Sequence, residues 1–146
     1  MDDIVISTMV DEAEIELMRG KSSFDYSYDE VTIDSLKKHF KLKDSLYLAV
    51  RSGTALVGFC SMDTGWWEEN FFFIREIWVD SGFQKQGIGN ALISRCLEHA
   101  RAKKANGVVT ETAFKNILMQ RLCEKFGFQS RENPQWKEGM TYKILF

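Results

Sequence analysis

Proline is nearly absent: Pro134 is the only one in 146 residues. No low-complexity stretch or repeat interrupts the chain either, so nothing marks a linker, and one domain spanning 1–146 is expected. Cysteine is scarce. Cys60, Cys96 and Cys123 are widely spaced and odd in number, which excludes both a disulfide framework and a CxxC metal site. No metal is expected. Cys96 sits among apolar neighbours on a helical pattern and reads as a small core residue. Cys60 and Cys123 lack a local His/Asp arrangement that would make either a nucleophile. The two histidines, His39 and His99, read as helix-face residues. No apolar run approaches the roughly 20 residues that span a bilayer. Charge of one sign is also missing: 19 basic residues face 21 acidic ones, whereas a nucleic-acid surface needs clustered Lys and Arg. The start, Met1-Asp2-Asp3, lacks the basic flank of a signal peptide. A cytoplasmic protein with no membrane or nucleic-acid partner is the expectation.

What is present is a good supply of core-formers, 45% hydrophobic residues. Ile4–Ile6 reads as a short strand. Asp11–Met18 reads as a helix ended by Gly20, and Ser22–Tyr28 as a loop. Val31, Ile33, Leu36 and Phe40 have helical spacing. Ser45–Arg51 and Ala55–Asp63 form strands around the turn Ser52-Gly53-Thr54. After a second turn, Thr64–Asn70, the near-continuously apolar Phe71–Val79 suggests a central strand covered on both faces. From Ile88 the apolar residues Ile88, Leu92, Cys96 and Ala100 fall four apart, the stripe of an amphipathic helix. Asn106-Gly107 reads as its C-cap. Val108–Thr110 is a strand, Asn116–Lys125 a helix stopped by Gly127, and Phe128–Arg131 and Met140–Phe146 a closing pair of strands. Hairpins in the middle and alternating strands and helices later imply an α/β fold, with a mixed sheet and helices on both faces.

The chemistry concentrates where the central strand runs through Gln84-Lys85-Gln86-Gly87-Ile88-Gly89 into the helix. The first backbone N–H groups of a helix lack intrahelical partners, and the helix dipole adds roughly half a positive charge there. Gly87 and Gly89 keep side chains away from those amides, and Lys85 adds charge at the rim. This is an anion site. The Walker A lysine and the third glycine of the dinucleotide fingerprint are both missing. Two glycines alone would equally suit a bare turn.

The longer pattern is more specific. Gln84 to Gly89 fits Gln/Arg-x-x-Gly-x-Gly/Ala after the strand Ile74–Asp80, and Asn116 to Phe128 follows about thirty residues later. Together these segments resemble the GNAT superfamily of N-acetyltransferases; the motif match covers about residues 71–128, and the order of elements fits across nearly the whole chain. The resemblance implies a GNAT-like acyl-CoA N-acyltransferase fold with a mostly antiparallel sheet, and acetyl-CoA as cosubstrate. It implies that the amides of Gln84, Lys85, Gln86, Gly87, Ile88 and Gly89 hold the pyrophosphate. Ile77, Trp78 and Val79 would bind the pantetheine arm through their backbone, and Asn116 would contact the pantetheine or a nearby water. Homodimers are frequent in the family.

Two positions depart from the family. Ser81 stands where proline often stiffens the turn. Cys123 stands where a tyrosine often protonates the leaving thiolate, so Cys123 is either a weaker acid or inert filling, and solvent could supply the proton. Glu76 occupies a position where the family often has a carboxylate, and reads as the general base for the amine or as a strand-surface partner of Arg75 or Arg51. The missing tyrosine leaves room for a catalytically silent acyl-CoA-binding or sensing module. On the acceptor side, Asp25, Tyr26, Tyr28 and Asp29 form one acidic, aromatic stretch, and Trp66 and Trp67 with Asp63, Glu68 and Glu69 another. Both suit a small cationic or peptide amine, or are solvated loops covering the core. The segment Arg131–Glu138, with Trp136, is read as a further wall.

Overall fold

The computed structural model describes residues 3–22 and 27–146. Seven strands form one sheet: β1 (Ile4–Thr8), β2 (Leu46–Ser52), β3 (Ala55–Asp63), β4 (Phe71–Val79), β5 (Gly107–Ala113), β6 (Gln129–Glu132) and β7 (Gly139–Leu145). Their spatial order is β1-β2-β3-β4-β5-β7-β6. Every neighbouring pair is antiparallel except β4 and β5. The expected mixed α/β fold is present, with β4 at its centre.

Among the described residues three α-helices cover the sheet: α1 (Glu30–Phe40), α2 (Ile88–Ala102) and α3 (Ile117–Lys125). On one face Leu92, Ile93, Cys96 and Ala100 of α2, with Met119 and Cys123 of α3, pack onto Leu48, Cys60, Phe72, Ile74 and Val108. On the other, Ile33 and Leu36 of α1 pack with Tyr28, Tyr47, Phe59 and Trp78. Apolar burial on both faces explains why β4 reads as a continuous apolar run. Among the described residues no helix is long and apolar enough to cross a membrane.

Two elements differ from the sequence expectation. The helix over Asp11–Met18 is a 3₁₀ segment, Glu12–Met18, capped by the Asp11 side chain. Its buried residues, Ile15 and Met18, are three apart while Leu17 is exposed; that spacing fits three residues per turn. Asn106-Gly107 does not cap α2, which ends at Ala102 with Lys103 as its cap. Gly107 instead opens β5, where a Cβ would stand 2.1 Å from the Ile144 carbonyl oxygen of β7. A close approach of strands demands that glycine.

The feature that positions the site is an interruption in β4. Met62 pairs with Ile74, but Ser61 pairs with Glu76, so Arg75 is an extra residue, a β-bulge. One inserted residue exchanges the faces of everything beyond it. Phe72 and Ile74 face α2; past the bulge Ile77 and Val79 face α2 and Trp78 faces α1. Glu76, two residues from Trp78, therefore lies on the α1 face. Pairing between β4 and β5 stops at the same level, with Ile74 opposite Thr110. The Thr110 hydroxyl donates to the Ile74 carbonyl at 2.9 Å and closes the paired part. Beyond this fork β5 stays with β7, and β4 bends away.

Candidate active site

A cavity of about 840 Å³ occupies the fork and the space above it. The end of β4, the loop that follows it and the starts of α2 and α3 build most of it, and Lys21 and Ser22 complete the wall. Of the residues expected from the sequence to bind cofactor, Ile77, Trp78, Val79, Gln84, Lys85, Gly87, Ile88, Gly89 and Asn116 all line it. Gln86 is exposed and is not part of the lining.

The start of α2 is built to leave amides open. Gly87 takes the N-cap position with φ 84° and offers no side chain to cap the helix. Lys85 also has positive φ, 64°, so two residues of the loop adopt the left-handed conformation that turns successive N–H groups inward. Ala91 donates back to Gly87 at 3.0 Å, but the amides before it have no helical acceptor. Lys85 and Lys115 bring cationic side chains to the same cavity.

The end of β4 offers backbone groups of its own. The Asp80 N–H donates to Val57 of β3 at 2.8 Å. Alternation along a strand then turns the N–H and C=O of Val79 and Ile77 towards the side β5 has vacated. The Gln84 side chain donates to the Val79 carbonyl at 3.2 Å and ties the loop to the strand. Asn116 caps α3, its Oδ1 accepting from the Met119 N–H at 3.2 Å, so the two amide donors remain outside that bond.

Several expected roles need correction. Cys123 is fully buried and does not line the cavity. Desolvation pushes its thiol up to about 12, so it holds its proton and has no route to a leaving group; it is core filling, not an acid. Cys60 is likewise fully buried, its Sγ 3.5 Å from that of Cys96, and its thiol is raised by that contact and by burial. Neither can serve as a nucleophile.

The acceptor residues also move. Tyr28 is fully buried in the core beneath α1. Asp29 is the N-cap of α1, accepting from the Thr32 N–H at 3.0 Å; that bond holds its carboxyl below the usual range. Trp66 packs on Phe73 at 4.8 Å between centroids, six residues before Val79 and roughly 20 Å along the strand. Trp67 is 80% exposed. Neither lines the cavity. Tyr26 and Asp25 lie outside the described residues. Glu76 is half-buried on the α1 face, immediately before the first lining residue of β4. Composition alone did not reveal Lys21 and Ser22, which reach the cavity from the α1 face, or Phe83, Leu118, Met119 and Leu122. No local signal announces a contact across the fold.

The buried thiol predicts alkaline sensitivity. Its folded pKa lies above the ordinary 9.0, so stability is complete below about pH 9 and is lost as pH rises towards 12. Fully expressed, that gap corresponds to about 4 kcal/mol. Burial raises the Tyr47 and Tyr142 phenols too. Melting temperature should fall steeply over this window, and Cys123→Val should flatten the fall; an equally steep fall in the variant would exclude the thiol as a cause.

The family model described as the acetyltransferase (GNAT) family matches residues 10–128. No curated protein matches by sequence. Solved structures match throughout. The ribosomal-protein-S18-alanine N-acetyltransferase of Escherichia coli superposes with a TM-score of 0.79 at 15% identity, covering 98% of this chain and 94% of the other. A GNAT-family acetyltransferase from Staphylococcus aureus gives 0.76 at 16% identity, covering 98% and 99%. The PaiA N-acetyltransferase of Thermoplasma acidophilum, solved with coenzyme A, gives 0.72 at 14% identity, covering 99% of each chain. At these identities the likeness concerns the fold, but the family match extends over most of the sequence: the chain belongs to the acetyltransferase (GNAT) family.

Proposed function

We propose that the protein transfers an acetyl group from acetyl-CoA to the primary amine of a small acceptor, by direct attack in a ternary complex. The observation that carries this reading is the meeting of two unsatisfied backbone surfaces in one cavity: the uncapped start of α2 and the edge of β4 that β5 has left. An acyl-CoA is long enough to use both. Its pyrophosphate would sit on the α2 amides around Gly87, Ile88 and Gly89, with Lys85 at the rim. Its pantetheine would take the place of the missing β5 backbone, bonding to Ile77 and Val79. Asn116 would contribute its amide donors from the α3 side.

The thioester would then lie near the fork. The Ile77 N–H, the vacated-edge amide nearer the fork, would polarise its carbonyl oxygen, and this donor is fixed before substrate arrives. An aliphatic ammonium has a pKa near 10, so it must lose a proton before its nitrogen attacks. Glu76 would accept it, directly or through water. A C–N bond forms, the C–S bond breaks, and the coenzyme A thiolate leaves to be protonated by solvent, since Cys123 is enclosed. Alignment of the two substrates supplies much of the acceleration.

The test is thiol release from acetyl-CoA over a broad amine panel, run beside calorimetric binding of coenzyme A. Turnover with at least one amine supports the transferase. The burial of Cys123, which leaves no side-chain acid at the family's tyrosine position, favours one second reading: a silent acyl-CoA-binding module. Tight binding with no acetylation anywhere in the panel would establish that one instead. Glu76→Gln should lower kcat about 100-fold near neutral pH and less at high pH, where free amine accumulates. An unaltered pH–rate profile would remove Glu76 from the role of base.

A further inference from the structure

Lys21 stands on the cavity wall from the side opposite α2. It follows the 3₁₀ segment, and its Nζ lies 5.2 Å from the centroid of the Trp78 ring, on the α1 face of β4. The acids around it are engaged elsewhere. Glu12 pairs with Lys41 and Glu14 with Arg51. Glu16 is taken by Arg19 and Lys37, and Glu30 by Arg19. Asp11 and Asp29 cap the segments they precede. Among the described residues these six acids are therefore committed to other partners, and the Lys21 ammonium lies against an aromatic face at the cavity edge.

Its position separates it from the cofactor cradle. Lys85 and Lys115 approach on the α2 and α3 side, where phosphates would bind. Lys21 lies across β4, on the face where Glu76 lies. Trp78 is two residues beyond Glu76, a rise of roughly 7 Å, which a lysine head and a carboxylate can bridge. We infer that Lys21 is an anion subsite for the acceptor, so that the amine acetylated carries a carboxylate a few bonds from its nitrogen, as an amino acid does. This rests on the transferase reading for its geometry and replaces the expectation of a cationic acceptor, since of its described residues Tyr28 lies in the core, Asp29 caps a helix and Trp66 packs at the far end of β4.

The test compares matched amines, amino acids against their primary amides, at saturating acetyl-CoA. The wild type should prefer the acid by about tenfold or more in kcat/KM, the range of a charge-assisted hydrogen bond. Lys21→Gln should erase the preference and leave the KM for acetyl-CoA unchanged; Lys21→Arg should keep the preference. Equal use of acid and amide by the wild type overturns the inference. So does a raised KM for acetyl-CoA in Lys21→Gln with the acid preference intact, which would assign the lysine to a cofactor phosphate. If no amine is turned over, calorimetry of the same pairs against the coenzyme A-saturated protein decides. Selective binding of the acid, lost in Lys21→Gln, upholds the subsite while the transferase reading falls, and equal binding sinks the subsite as well.

Discussion

Gly89→Glu is expected to abolish coenzyme A binding while the protein stays folded. A Cβ at this position would stand 3.2 Å from Leu122 Cδ2, in the space where α2 faces α3 across the cavity. Leu122 is a flexible side chain and can give by the few tenths of an ångström required, so the cost to folding is modest. The rest of the glutamate would extend from a residue that lines the cavity. It would bring a negative charge into a cradle made of helix amides and Lys85, and a phosphate cannot share that space. Loss of affinity should exceed 100-fold. In the wild type, coenzyme A at about a hundred times its dissociation constant should stabilise the fold by roughly 2.7 kcal/mol; the variant should show no such shift at the same concentration. Unchanged affinity by calorimetry would place the pyrophosphate elsewhere. Gly89→Ala separates the two components, since it adds the Leu122 contact without the charge and should bind coenzyme A more weakly but measurably.

The α2 end of the cavity was legible in the sequence because it is local. Strand, glycine loop and helix follow one another without interruption, and Gly87 and Gly89 report directly on the backbone they permit. The fork was not legible. It depends on Arg75 being an extra residue relative to Ser61 and Met62, and register against a partner strand leaves no mark on the sequence of either. Without the bulge, the alternation that puts Phe72 and Ile74 towards α2 would have carried Glu76 to that face too. The acidic, aromatic segments misled for a different reason: composition shows which groups are available, not which partners claim them. One of them did carry a readable signal. Asp29 directly precedes Glu30 and the periodic Val31–Phe40 run, the pattern of an N-cap with an acid in the first turn, and that structural role accounts for it. Lys21 carried none, since its importance comes from Trp78, far along the chain.

The bulge itself should be the protein's most sensitive point. Arg75 Nε and Nη2 donate to Asp63 Oδ2 and Oδ1 at 2.8 and 3.0 Å, and its guanidinium lies 4.8 Å from the Phe73 ring centroid. Asp63 is fully buried and also accepts from the Gly65 N–H at 2.8 Å. The extra residue is thereby clamped to β3 by a two-point ion pair whose acid cannot reach water. Asp63→Ala removes one partner and leaves a partly buried guanidinium without its counter-charge, a change that costs about 3–5 kcal/mol. Chemical denaturation should show a loss of that size. The same variant should also lose activity beyond its loss of stability. An unclamped Arg75 lets β4 shift register against β3, and a slip of one residue moves Glu76 off the α1 face and turns the Ile77 amide away from the fork. At a temperature where the variant remains folded, kcat should therefore fall while coenzyme A, held mainly by the α2 loop, still binds. A variant that is destabilised but keeps full kcat would show that the bulge is set by the β3–β4 backbone alone, and that the Asp63–Arg75 pair only stabilises it.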